Sequence, residues 1–517
     1  MQTDWQVLSS QTVESIFKLE STACDPVAAR LIDETDASYL FHLFFSTRNP
    51  LLGLLDPELH TPEYVYTLSF TLFSAICALG CAISSRPRDR VIYAALLSLA
   101  EANMKWSIAV SVRSLETIQA IILMQYWAPM CTRHSCDPAW LHLSHVREAL
   151  RTSGNSCANV MLTGMFGKAA QLARELGIYE TDRIDKYLAA SVPVAADEKK
   201  ERFRRNIERT WLYIFIADKS FGLINGRRLG VSWNELPPDV YAWWQNPMAT
   251  AHDRMISGIV ETRGILLDAL KEGKNGDMTL LSVFKWHSRW FETLEHVRGV
   301  RCTPDASPSS VYLPLLAFYM DHSILVLNAQ AIAQLAKPND ETTSPELEAV
   351  YQKTVKVATR TLNSVLNDPM MVSLRLGFHN NQYIMICHAV AEVVQATKKN
   401  LLSIQETADA ASYMRAIPEH LDKIAQQLPV TSLARMYASL SRCLMLQLNK
   451  DIVPVGERSG SIVSLFNSSS APWRSWETSL DGFDPASLSL EQMMLDMGWD
   501  IPFDAESDTF LFPQQGI

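Results

Sequence analysis

Glycine is scarce in this 517-residue chain, with 20 in all. That argues against barrels, sandwiches and dinucleotide-binding sheets, which need many tight turns and close backbone approaches. The opening stretch MQTDWQVLSS has no basic segment followed by an apolar leader. Catalytic and phosphate-cradling templates are missing too. H-E-x-x-H, G-x-S-x-G, G-x-G-x-x-G and G-x-x-x-x-G-K-S/T do not occur, so no cofactor and no enzyme activity is expected. The nine cysteines are scattered and odd in number, which reads as reduced intracellular thiols, not a disulfide framework. A basic surplus is also lacking. The net charge is −10, and Ser475 to Ile517 holds nine acids with no Lys or Arg. The rest of the chain is therefore near neutral and offers no obvious electrostatic match to nucleic acid.

What is present is helical patterning. Hydrophobic residues make up 48% of the chain, enough for a real core. Leu162, Met165, Phe166, Ala169, Leu172, Ala173 and Leu176 recur at spacings of three and four, and Gly177 follows as a helix stop. The same pattern fills most of residues 38–450, which predicts an all-α body. Pro-, Ser- and Asp-rich breaks predict loops near 188–197, 302–311 and 336–345. Residues 1–37 form an N-terminal extension and 451–475 read as a disordered linker. Residues 476–517 form an acidic-hydrophobic tail.

Val65–Ser85 carries no charged residue and is long enough to cross a bilayer. Its Ser, Thr, Gly and Cys content favours a buried core helix, so no membrane is expected. In the tail, Ser489 and Gln492 have capping-box spacing and Gly498 is a stop. Between them Leu490, Met493, Met494 and Met497 share one helical face. Such a short helix is marginal alone and is suited to a partner's groove. Phe483, Trp499, Phe503, Phe510 and Phe512 add apolar anchors among the carboxylates.

Several constellations have bland readings. Cys131, His134, Cys136, His142 and His145 lie within fifteen residues, but in no known zinc spacing, so a loop and a helix start are expected. Cys77 and Cys81, one helical turn apart, read as core thiols. Asp33–Asp36 (DETD) precedes the first convincing apolar helix and has no second acidic motif to pair with. The basic run KKERFRR (199–205) reads as a solvated helix face. No metal site is expected.

One loop demands explanation. Phe203, Ile207, Trp211, Ile214, Phe215 and Asp218 lie on one helical stripe, which puts Asp218 on the core side in the expected last turn. A buried carboxylate is costly unless paired. Arg227, past a loop with Gly222 and Gly226, is the expected partner. The segment TWLYIFIADKSFGLINGRRLGVSWNELP (210–237) resembles the signature of the fungal-specific transcription factor domain, the middle homology region of zinc-cluster regulators. Trp211, Asp218, Lys219, Gly226, Arg227, Leu236 and Pro237 match that pattern, with Arg228 in place of its usual proline.

Four further stretches are similar to the same family in the same order: 40–65, 69–84, 114–129 and 164–180. The resemblance covers residues 38–300 and extends toward 450. It implies a nuclear regulator of RNA polymerase II genes whose tail meets a coactivator or the general transcription machinery, with dimerisation to a related factor as a further possibility. These regulators carry six cysteines within about thirty residues at the N-terminus. Here the first 76 residues hold only Cys24, so DNA contact is expected only if a zinc cluster lies outside this sequence. Two other readings stand beside this one: a co-regulator without DNA binding, and a helical small-molecule-binding protein or enzyme.

Overall fold

A computed structural model describes residues 25–128, 169–191, 197–225, 230–237, 239–274, 279–336, 344–399 and 401–452. Among them there are helices and no strand, as the periodicity required. The first group is α1 (Glu34–Leu43), α2 (Asn49–Leu52), α3 (Pro62–Leu68), α4 (Phe70–Cys81), α5 (Pro87–Ala109) and α6 (Leu115–Tyr126). Next come α7 (169–176), α8 (Thr181–Ser191), α9 (Asp197–Asn225), α10 (Asp253–Lys274) and α11 (Leu280–Arg301). The last group is α12 (Leu313–Leu335), α13 (Pro345–Asn367), α14 (Pro369–Leu374), α15 (Asn380–Lys398), α16 (Ile404–Gln427) and α17 (Leu433–Ile452).

Local chemistry sets the helix ends. Asp33 and Asp36 form a reciprocal capping box at the start of α1, which accounts for two acids of the DETD run. Asp36 also meets Arg86 and Arg88. Thr61 and Pro62 start α3, Ser114 starts α6, and Ser344 with Pro345 starts α13. Gly177 closes α7 at φ +72°. The amides of Gly177 and Ile178 reach the carbonyls of Arg174 and Ala173, the paired bonds of a left-handed cap.

Val65–Ser85 is not one continuous helix. Ser69 is extended (φ −159°, ψ 110°), ends α3, and its hydroxyl accepts from the Leu72 amide to start α4. From Thr71 to Cys81 every residue of α4 is buried. Among the described residues the helical stretch long and apolar enough to cross a membrane is instead Pro308–Leu335, around α12, and 67% of its most apolar window is buried inside the body. The sequence reading did not single it out. Pro308 and Pro314 look like breaks, yet Pro at the first helical turns is compatible with helix.

Helices apolar on all sides must lie inside. α4 packs against α1, α5 and α6, and α12 packs against α10, α11 and α13. α15, buried along nearly its whole length, packs against α13 and α17. Polar contacts knit the beginning of the body to its end. The Trp127 indole donates to the Gly377 carbonyl (2.8 Å), and the Asn380 amide donates to Ala128 (3.1 Å). On α12, buried Asp321 receives Arg298 of α11 and Arg360 of α13.

The close crossing of α1 and α4 depends on Gly80, where a Cβ would stand 2.1 Å from the Leu40 carbonyl oxygen. Gly80→Ala is expected to cost about 1–3 kcal/mol of stability. Gly299→Ala, on α11 with nothing within 4 Å of the added carbon, is expected to be neutral or to stabilise by up to about 1 kcal/mol. Urea unfolding of the two variants measures the difference. Equal stabilities would contradict the crossing as described.

Candidate functional site

The stripe that carries Trp211 and Asp218 lies on α9, and α9 runs further than its sequence suggested. It continues to Asn225, so Asp218 sits about two turns before the end and not in the last turn. A lone glycine, here Gly222, weakens a helix by only about 1 kcal/mol and does not stop one that is otherwise well packed.

Asp218 is buried, and its carboxylate is answered mainly by backbone. The Gly230 amide donates to both oxygens (3.0 Å each) and the Val231 amide to Oδ2 (3.1 Å). Lys219 Nζ lies 3.5 Å from the same carboxylate and donates to the Val231 carbonyl. Adjacent residues thus grip both polarities of one peptide stretch. The expected partner Arg227, together with Gly226 and Arg228, lies outside the described residues.

The gripped stretch, 230–237, is a strap over α9. Trp211 is buried, and its indole donates to the Glu235 carbonyl at 2.6 Å. The Glu235 carboxylate takes Arg174 Nε (2.8 Å) and Nη2 (2.9 Å) and the Ser232 amide (2.7 Å). Arg174 Nη2 also donates to the Gly230 carbonyl at 2.6 Å. Burial alone would push the Glu235 carboxyl up, but Arg174 and the Ser232 amide hold it below its ordinary value. Leu236 is buried and Pro237 half-buried. Trp233 packs edge-on against Phe215 (4.6 Å between centroids) and covers Gly264 of α10. These residues hold the strap on the body, and none of those described offers a phosphate cradle.

The basic run at 199–205 differs from the solvated face expected of it. Arg202 pairs with Asp56 and Glu58, and Arg204 with Asp185 and Glu201. Arg205 is buried, its guanidinium 3.5 Å from the Trp243 ring centroid, and it donates to Asp253 at 2.7 Å. Arg209, also buried, reaches the other Asp253 oxygen through Nε at 2.9 Å. Burial would push the Asp253 carboxyl up, yet Arg209 and Arg205 outweigh it and hold the group below its ordinary 3.8. The sequence hides this because the acid lies on α10, far from its two partners along the chain.

Between α6, α9, α10, α12 and α15 lies a cavity of about 20 Å³. Its polar lining includes Tyr126, Tyr213, Ser220, Arg263, Tyr319 and His379. The Tyr319 hydroxyl meets His379 Nε2 at 2.8 Å, and burial pushes His379 down to about 3, so its ring is neutral. The space admits one water-sized species, not a metabolite. Sequence reasoning missed these residues, although one signal was legible. Ile256, Ile259, Val260, Arg263, Leu266, Leu267 and Leu270 form the buried stripe of α10, with a charge in the middle.

Cys77 and Cys81 are both buried, and the Cys81 thiol contacts the Asp89 carbonyl. Burial pushes Cys77 well up and Cys81 to about 12, so both stay protonated. Cys131, His134, Cys136, His142 and His145 lie outside the described residues. So do the tail residues Phe483, Leu490, Met493, Met494, Met497, Trp499, Phe503, Phe510 and Phe512.

Residues 41–234 match the family model of the fungal specific transcription factor domain. The matched span ends inside the strap, short of the position near 300 to which the sequence resemblance was read. The chain is similar to Protein priB of Lentinula edodes, 24% identical over 286 residues, which cover 53% of this chain and 42% of that protein. The chain therefore spans less than half the length of that relative. No solved structure matches.

Two outcomes follow from the ion and strap contacts. Asp253→Asn leaves buried Arg209 without a carboxylate and Arg205 with only Glu208, 3.7 Å away, and is expected to cost about 3–5 kcal/mol at neutral pH. Because the folded carboxyl is depressed, its stabilisation is full above the unfolded value near 3.8 and is lost as pH falls through the folded value. The variant should lack that acid-side loss, which urea titrations from pH 5 down to about pH 2 would reveal. Asp218→Ala is expected to cost about 1–3 kcal/mol and to speed proteolysis within 230–237. Unchanged cleavage there would contradict the grip.

Proposed function

We propose, from the fungal specific transcription factor domain at residues 41–234, that this chain regulates RNA polymerase II genes in the nucleus. That match is the observation that carries the reading. The helical body serves as the regulatory domain, and the acidic-hydrophobic tail as an activation segment. In this reading the chain is not an enzyme. DNA contact belongs to a zinc cluster outside this sequence or to a related factor that dimerises with it.

The chemistry of the body supports a partner that is protein in nature. Arg205, Arg209, Arg298, Arg301 and Arg360 are committed to internal carboxylates, so their charge is spent within the fold. The tail supplies the opposite: bulky apolar side chains kept extended and soluble by repelling carboxylates. It would contact a coactivator or the general transcription machinery through Leu490, Met493, Met494, Met497 and Trp499, with Phe483, Phe503, Phe510 and Phe512 as flanking anchors.

Tethering the whole chain to a foreign DNA-binding domain tests this. The wild-type fusion is expected to activate a reporter, and Met493→Ala, Met494→Ala and Trp499→Ala combined are expected to abolish activation. Full activity in the triple variant would remove the tail from the account. A silent wild-type fusion would point to a co-regulator without activating ability.

A further inference from the structure

The chain holds four Ser/Thr-Pro pairs, beginning at Thr61, Thr303, Ser307 and Ser344. Three of them start helices. Thr61 caps α3, Ser344 caps α13, and Ser307 precedes the helical turn Pro308–Tyr312. There the proline is the first helical residue, a placement that serves the fold. Thr303–Pro304 starts no helix. It follows the end of α11, and Thr303, Pro304, Asp305 and Ala306 are four consecutive exposed residues in irregular chain. Exposed loops of this kind are where other enzymes reach a folded protein. A kinase seats its substrate extended in a cleft, which a hydroxyl bound into a helical turn does not allow.

Two further observations say what a charge at this point would do. The Thr303 hydroxyl donates to the Gly299 carbonyl at 2.7 Å and closes the last turn of α11. Arg254 of α10 holds the same loop. Its Nη2 donates to the carbonyls of Arg301 (3.0 Å) and Thr303 (2.9 Å), and its Nη1 to the Asp305 carboxylate (2.9 Å). The charge of Arg254 is thus already answered by Asp305. Arg298 and Arg301, in the last turn of α11, are likewise held by Asp321 and Glu261.

We propose that Thr303 is a phosphorylation site for a proline-directed protein kinase, and that its modification opens the last turn of α11. The γ-phosphoryl group of ATP passes to Thr303 Oγ1, the bond to the ADP leaving group breaks, and the hydroxyl proton goes to the base of the kinase. The ester oxygen can no longer donate to Gly299. A phosphate with a charge of about −1.5 to −2 then stands at a helix C-terminus, two residues from Asp305, and both repel it. The site holds whether or not the chain regulates transcription.

The test incubates the folded full chain with a mitogen-activated protein kinase, magnesium and ATP, and locates phosphate by mass spectrometry of its peptides. Phosphate is expected on Thr303. Thr303→Ala, at an exposed position that alanine fits, is expected to lose that phosphate, and Ser307→Ala to keep it. The Cys302 amide donates to the Arg298 carbonyl at 2.9 Å. In the phosphorylated chain it is expected to exchange its hydrogen at least about tenfold faster, with α12 unchanged. A folded chain that takes no phosphate at Thr303 would overturn the site. Exchange at Cys302 that is unchanged, or slower through capture of the phosphate by Arg254, would overturn the opening of the turn.

Discussion

Asp218 imposes the constraint on which the strap region depends. A carboxylate placed on the core side of a long helix must find donors, and here it finds two consecutive amides, at Gly230 and Val231. Those bonds bring the chain back across α9 after the helix ends. Once the strap is there, Trp211 can bond to the Glu235 carbonyl, Arg174 can clamp Glu235, and Trp233 can cover Gly264. The Asp253 cluster applies the same logic one layer away, where one acid answers two arginines from a neighbouring helix. The body is thus held by apolar helices and by a few buried charges whose partners are far away in sequence.

That distance explains what was legible and what was not. The all-α class, the Gly177 cap and the core position of Asp218 were readable because each follows from local spacing. The bonds from Asp218 to the Gly230 and Val231 amides were not, since backbone amides leave no mark in a sequence; Arg227, the expected partner, lies outside the described residues. The burial of Arg205 was hidden for a similar reason: KKERFRR reads as a surface run until Asp253 and Trp243 are brought to it by the fold. The break at Ser69 was missed because the run Val65–Ser85 is uncharged throughout. Arg263 could have been found, because a single charge on an otherwise apolar stripe is visible by inspection.

The functional reading joins this body to the family that residues 41–234 match. The signature residues described in the structure hold a strap in place and so help to build the helical body. Recognition in this account is assigned to the tail. The Arg263 cavity is a separate matter. It is too small for a metabolite-sized effector.

The central claim is that Asp218 holds the strap by taking the amides of Gly230 and Val231. Hydrogen exchange of those two amides in the intact chain measures it most directly. The account predicts that both exchange as slowly as amides of the buried helices, through global unfolding. Exchange at the rate of an unprotected loop, with the rest of α9 still protected, would contradict it.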